Sequence, residues 1–253
     1  MMNVGAIIQA RLSSTRSKEK ILRNLGGRPM LSWVLERACQ LLVDTVILAV
    51  PDTDAHDALL RFAGDRVILF KGDEEDVLQR FIDAAQTHHL DVIVRICADD
   101  PFIDPALSNA LIKKHLETNS DYTTYALKGK PTILTHSVVY PEVVSLAALQ
   151  RAAGMTKDLK VRQHVTMPIY ANPSQFTITF LPLPIYWQRT DIRLTLDTDE
   201  DFLIQEELVR GLDHEGKEPT PQHIARYLDS HPLLLAKMKK IISEHQKKIV
   251  GGK

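Results

Sequence analysis

Residues Ile7 to Lys20 read IIQARLSSTRSKEK. An apolar run passes directly into a loop that places three hydroxyls, Ser13, Ser14 and Thr15, among Arg11, Arg16, Lys18 and Lys20. The run Val4 to Ile8 has the length and β-branched content of a buried strand, so the loop is a strand exit. Cations near the start of a helix oppose its macrodipole, and a bound polyphosphate would supply the missing negative charge. A solvated charged loop is equally compatible with the cluster alone. A Walker loop is excluded, because the segment contains no glycine.

Outward from this strand, short β-rich runs alternate with amphipathic stretches. Val46–Val50, Arg66–Phe70 and Val92–Cys97 read as further strands, with helical patterns at Pro29–Leu42, Thr53–Ala63 and Glu74–His88. Pro29 suits a first helical turn, and Gly26-Gly27 before it a tight turn. Continuous apolar strands joined by helical crossovers predict an α/β fold with a mostly parallel central sheet covered on both faces. In such a sheet ligands lie beyond the carboxyl ends of the strands.

After about Asn119 the rhythm changes. Tyr122–Leu127, Thr132–Tyr140, Phe176–Leu181 and Thr190–Leu196 read as extended, and Ser145–Ala153 and Leu159–Met167 as helical. This stretch, about residues 120–190, reads as a smaller inserted lobe within a single domain over residues 1–230. Residues 231–253 form a C-terminal helix and tail, set off by a break at Pro232. No internal repeat or Pro/Gly/Ser linker divides the chain.

The chain has 253 residues, 44% hydrophobic and 25% charged, enough to bury a sizeable core. A net charge of −1 argues against bulk electrostatic binding to nucleic acid while leaving room for a local basic pocket. Cys39 and Cys97 lie in apolar segments and are expected to be buried free thiols, as suits a reducing cytosol. No segment has the length of a membrane span, and Val4–Ile8 lacks a basic leader, so a soluble cytoplasmic protein is expected.

Two carboxylate positions follow predicted strands. Asp99 and Asp100 come after IVRIC, and Asp197 ends IRLTL. If these strands are neighbours, Asp99 and Asp197 converge beside the basic first loop. A few carboxylates completed by water and substrate phosphate are the usual means of holding Mg²⁺. Helix capping competes with this reading: Asp99 or Asp100 could cap a helix beginning near Pro105, and Asp197 or Thr198 one beginning at Asp199. Capping is the better reading for Thr198, metal binding for Asp99 and Asp197.

These residues carry a wider pattern. Gln9-Ala10-Arg11 with Ser14-Thr15-Arg16 and Lys20, then Leu25-Gly26-Gly27-Arg28-Pro29-Met30-Leu31, resembles the opening of the cytidylyltransferase family that makes CMP-activated acidic sugars. The resemblance is strongest to its spore-coat polysaccharide biosynthesis branch. Gly72 with Glu74-Glu75-Asp76-Val77-Leu78 and Arg80, Val94-Arg95-Ile96 with Asp99, Pro101 and Asp104, His164-Val165-Thr166, and Arg193 to Thr198 with Glu200-Asp201-Phe202 continue it in order.

The resemblance implies a nucleotide-diphospho-sugar transferase fold, of the GT-A-like Rossmann type, with the inserted lobe serving dimerisation. CTP and a sugar would be the substrates, Mg²⁺ the cofactor and a homodimer the assembly, with no nucleic acid or membrane partner. It implies catalytic roles for Arg11, Lys20 and Asp99, and nucleotide contacts from Ala10, Arg11, Ser14, Arg16, Lys20, Gly72, Arg80 and Arg95. Asp99 and Asp197 would hold the metal, and Glu142 and His164 would meet the sugar. Asp100, at a variable position of the pattern, is expected to face elsewhere.

The chain departs from the pattern at Ser17-Lys18-Glu19, where Leu-Pro-Gly precedes the lysine, at Ala98 for glycine, at Gln163 for glutamate, and across Val138–Glu142. Two other readings share the fold: a glycosyltransferase using a nucleotide sugar, and a non-catalytic nucleotide-sugar-binding homologue.

Overall fold

In the computed structural model, which describes residues 2–12, 20–136 and 138–251, Val4–Gln9 forms β1, buried along nearly its whole length. A two-residue hairpin follows, β2 (Asn24–Leu25) and β3 (Arg28–Pro29), then helix α1 (Met30–Ala38). Gly26 and Gly27 turn the hairpin with φ of 57° and 89°, a region that costs side-chain-bearing residues dearly. Next come β4 (Thr45–Pro51), a 3₁₀ helix at Asp54–Phe62, β5 (Ile68–Gly72), α2 (Val77–Thr87), β6 (Val92–Cys97) and α3 (Pro105–Thr118).

The second half contributes β7 (Tyr122–Leu127), β8 (Lys130–Pro131), β9 (Glu142–Ser145), α4 (Leu146–Met155), α5 (Leu159–Arg162), α6 (Met167–Tyr170) and β10 (Ile178–Pro182). Three helices close the chain: α7 (Asp199–His214), α8 (Pro221–Ser230) and α9 (Pro232–Gly251).

The main sheet runs β10-β7-β9-β6-β1-β4-β5, with β8 paired to β7. β1 pairs in parallel with both β4 and β6, and β4 with β5; β9 alone in that order runs against its neighbours. The chain leaves β1 toward β4 and β5, then crosses back to β6 on the other side. That reversal opens a crevice beyond the carboxyl ends of β1 and β6, where an open α/β sheet binds its ligands.

Alternation along the strands feeds two apolar layers. Ala6, Ile8, Leu48 and Val94 face α1, α3, α7, α8 and α9, through Leu31, Leu111, Leu208, Leu228 and Met238. Ile7, Ile47 and Ile93 face α2, α4 and α6, through Phe81, Leu149 and Ile169. Each such fully buried side chain contributes about 1.5–3 kcal/mol, so β1, buried on both faces, is the sheet's anchor.

Several expectations meet a different structure. β7, β9 and β10 extend the main sheet, so residues 120–190 continue the first core. Thr132–Tyr140 contains a 3₁₀ turn at Thr132–Leu134 and, among its described residues, no strand. Thr190–Leu196 forms no strand and pairs with none among the described residues: the Leu194 amide donates to the His136 carbonyl and Gln205 donates to the Leu194 carbonyl. The helix read over Leu159–Met167 is two short helices, α5 and α6. α9 buries Leu234, Leu235, Met238 and Ile241, and so belongs to the same core. Among the described residues no helix is long and apolar enough to cross a membrane.

Candidate active site

A cavity of about 560 Å³ opens at the β1/β6 switch. β1 brings Gln9 and the following Ala10 and Arg11 to its wall, and β6 brings Arg95, Cys97 and the following Asp99 and Asp100. Arg80 comes from α2, His164 from the turn between α5 and α6, and Asp197 from the approach to α7. Ser14 and Arg16 lie outside the described residues.

Lys20 ties the site together. Its ammonium donates to the Asp99 carboxylate at 2.7 Å and to the Leu196 carbonyl at 2.6 Å, joining the end of the first loop to both aspartate-bearing segments. Asp197 accepts from Arg193 Nη2 at 2.9 Å. The same guanidinium grips Asp201 with Nε at 2.6 Å and Nη2 at 2.9 Å. Despite its burial, Asp201 is held below the usual carboxylate range by Arg193. Asp201 also closes a capping box with Thr198 at the start of α7, so Thr198 is a cap, as read from the sequence. The cap of α3 is Asp104, which accepts from the Leu107 amide at 2.8 Å, leaving Asp99 and Asp100 free of that task.

Asp100 departs from expectation. It lines the cavity beside Asp99, is only 8% exposed, and its carboxylate has no hydrogen bond or ion pair among the described residues. Burial, then the negative charge of Asp99, raises its pKa well above the usual carboxylate range. An orphaned buried carboxylate next to Asp99 fits a divalent cation, since a cation relieves both charges at once. The Cys97 thiol adjoins this group and is pushed up by burial. Cys39 and Cys97 are both free and half-buried.

The cations are held differently from one another. Arg80, 2% exposed, donates through Nη1 to the Asp73 carbonyl at 2.6 Å, forms no ion pair among the described residues, and has no partner at Nε. Burial, with the charge of Arg11, lowers its pKa to about 10, so it stays cationic at neutral pH. Gly72 does not line the cavity; a Cβ there would meet Arg80 Cγ at 2.9 Å, so its role is to leave room for the arginine stem.

Arg95 is neutralised from below by Glu142 and donates to Gln9 Oε1 at 3.1 Å. Glu142 also accepts from Tyr122 and, at 2.8 Å, from Thr166. With all these partners and 3% exposure, Glu142 lies beneath the cavity and not in its wall, so its position suits holding Arg95 and not meeting a sugar.

His164 does line the cavity. Burial and the charges of Arg95 and Arg11 lower its pKa, so its ring is neutral at neutral pH. The turn that presents it is fixed from both ends, by Arg162 Nε on Asp76 at 2.8 Å and by Thr166 on Glu142. Between them Val165, fully buried, has φ of 49°, a costly conformation for a β-branched residue that such anchoring sustains. Sequence reasoning missed Ile133, Val138, Met167 and Tyr170, which give the cavity an apolar flank. They carry no polar signature, and their segments are irregular or short.

The family model for cytidylyltransferases matches residues 5–249. The spore coat polysaccharide biosynthesis protein SpsF of Bacillus subtilis is 32% identical over 210 residues, covering 80% of this chain and 84% of its own. Among solved structures, a cytidylyltransferase from Leptospira borgpetersenii superposes with a TM-score of 0.81 at 24% identity, covering 93% of this chain and 97% of its own. A CMP:2-keto-3-deoxy-manno-octonic acid synthetase complexed with CTP superposes with a TM-score of 0.61 at 17% identity, covering 84% and 99%.

Proposed function

Because the chain belongs to the cytidylyltransferase family, we propose that it transfers CMP from CTP to a hydroxyl of an acidic or otherwise unusual sugar, in the cytoplasm, for surface polysaccharide or glycoconjugate synthesis. The sugar hydroxyl gives up its proton to solvent as its oxygen bonds to the α-phosphorus, the bond from that phosphorus to the β-phosphate oxygen breaks, and pyrophosphate leaves. The observation that supports the reading is Lys20 bridging Asp99 and the Leu196 carbonyl, which ties together two carboxylate segments, ending in Asp99 and Asp197, that line one cavity.

Phosphoryl transfer of this kind asks a protein to position groups and neutralise charge. Arg11, Lys20 and Arg80 supply cations for the triphosphate, with Ser14 and Arg16 proposed to add contacts from the first loop. Asp99 and Asp197 would hold a divalent cation, Mg²⁺ on the resemblance, which when bound would polarise the phosphate oxygens. Arg193 presents Asp197, and His164 faces the acceptor. The synthetase crystallised with CTP supports the choice of nucleotide.

The test is pyrophosphate release from CTP against a panel of acidic sugars. Release with CTP and one or a few of them is expected. CTP binding without release from any sugar would instead identify a non-catalytic homologue.

A further inference from the structure

We propose that Asp100, with Asp99 and the sulfur of Cys97, is a direct metal ligand in this chain, so that the cation at the end of β6 has two carboxylates and a thiolate as donors and the site prefers Mn²⁺ or Co²⁺ over Mg²⁺. The proposal rests on the nucleotidyl-transfer reading for the use of the cation, and on three observations for its place.

One donor atom from each of Cys97, Asp99 and Asp100 lies within 4.8 Å of the other two. With metal–oxygen bonds of about 2.1 Å and metal–sulfur bonds of about 2.3 Å, ligands on opposite sides of one ion stand roughly 4.4 Å apart. Three donors spread evenly around one ion stand roughly 3.8 Å apart, so the three span a single cation after closing by about 1 Å or less. Asp100 is more than nine-tenths buried, lines the cavity, and has no partner for either oxygen among the described residues. Asp99 and Asp197, by contrast, are each held by one cation, Lys20 and Arg193. Asp100 is thus the carboxylate of the three whose burial most needs a cation.

Sulfur adds selectivity. Mg²⁺ takes hard oxygen donors and releases its water reluctantly, whereas first-row transition metals accept a soft donor among oxygens. On binding, the Cys97 thiol loses its proton to solvent and the sulfur lone pair bonds the metal, with no change of oxidation state.

The full-length protein is titrated with Co²⁺ in the absence of nucleotide and followed by near-ultraviolet absorbance, with Mn²⁺ and Mg²⁺ affinities measured by calorimetry. A thiolate-to-cobalt charge-transfer band is expected in the wild type and absent in Cys97→Ser. Mn²⁺ is expected to bind at least tenfold tighter than Mg²⁺, and Asp100→Asn to weaken Mn²⁺ at least tenfold. Should Asp100→Asn fail to fold, Asp100→Glu replaces it and must shift the cobalt spectrum.

A wild type without the band, equal affinities for Mg²⁺ and Mn²⁺, or unchanged binding in the Asp100 variant would overturn the proposal. Metal binding in the expected pattern without pyrophosphate release from CTP supports the site while removing the function proposed above.

Discussion

Arg193 holds Asp197 with one hydrogen bond and Asp201 with two, so removing one negative charge from Asp197 leaves the guanidinium anchored. Asp197→Asn is therefore expected to fold with a near-normal melting temperature while turnover falls about a hundredfold or more. This corresponds to a loss on the order of 3 kcal/mol in the transition state. Near-normal turnover, or unfolding, would make Asp197 structural. Glu142 gives the opposite expectation. Its carboxylate is the counter-charge of Arg95, both side chains being about 5% exposed or less. Glu142→Gln strands a buried guanidinium, a change that costs about 3–5 kcal/mol in such pairs. Urea unfolding should show that loss, and an unchanged midpoint would return Glu142 to a surface role. A third residue reports on pH. Burial lowers the His115 pKa to about 4, against 6.5 for the ordinary group, with its Nδ1 bonded to Thr123 at 2.9 Å. The unfolded chain then binds a proton that the folded one refuses, so stability falls as pH drops from 6.5 toward 4, by roughly 3 kcal/mol in all. His115→Gln should flatten that slope in urea midpoints measured across the range.

At the scale of elements, β1, β4 and β6 were legible because each is a continuous apolar run bounded by turn or charge signals, the pattern of a strand buried on both faces. Asp99 and Asp197 were read as site residues because each follows a strand-like run, and both line the cavity, although the run before Asp197 forms no strand. Asp100 was not, because its neighbours in sequence say nothing of which way its side chain turns after β6 ends. Glu142 was misplaced because it sits on β9, an antiparallel strand slipped between β6 and β7, whose only sequence trace is the four residues Glu142–Ser145. Thr190–Leu196 has a strand's composition, yet side chains of α7 and the His136 carbonyl occupy its polar groups. The cap that begins α7 was read correctly at Thr198, whereas the return contact of Asp201 that makes it a capping box was not read. Thr198→Ala removes that cap and is expected to cost about 1 kcal/mol. It should also reduce turnover several-fold through the freed Asp197 segment, measurable as a lower kcat in protein that is still folded at the assay temperature. Full activity would show that the capping box does not position Asp197.

For the whole molecule, the edge of the sheet bears on assembly. β10 leaves Phe180 43% exposed, and the turn after it leaves Ile185 90% exposed and Tyr186 40% exposed. Apolar side chains grouped along a sheet edge support the proposal of a homodimer through residues 176–187. Light scattering at micromolar concentration should give twice the 28.5 kDa chain mass, and a monomer would count against it. The proposed function assigns the cavity where β1 and β6 diverge to cytidine triphosphate. The most direct measurement of it is the melting temperature with CTP, ATP or GTP in the presence of a divalent cation. A ligand at about a hundred times its dissociation constant stabilises a protein by about 2.7 kcal/mol, which for a chain of this size is roughly 5–10 °C. The account predicts a shift of that order with CTP and clearly smaller shifts with ATP and GTP. Equal shifts with all three nucleotides, or none with CTP, would contradict it.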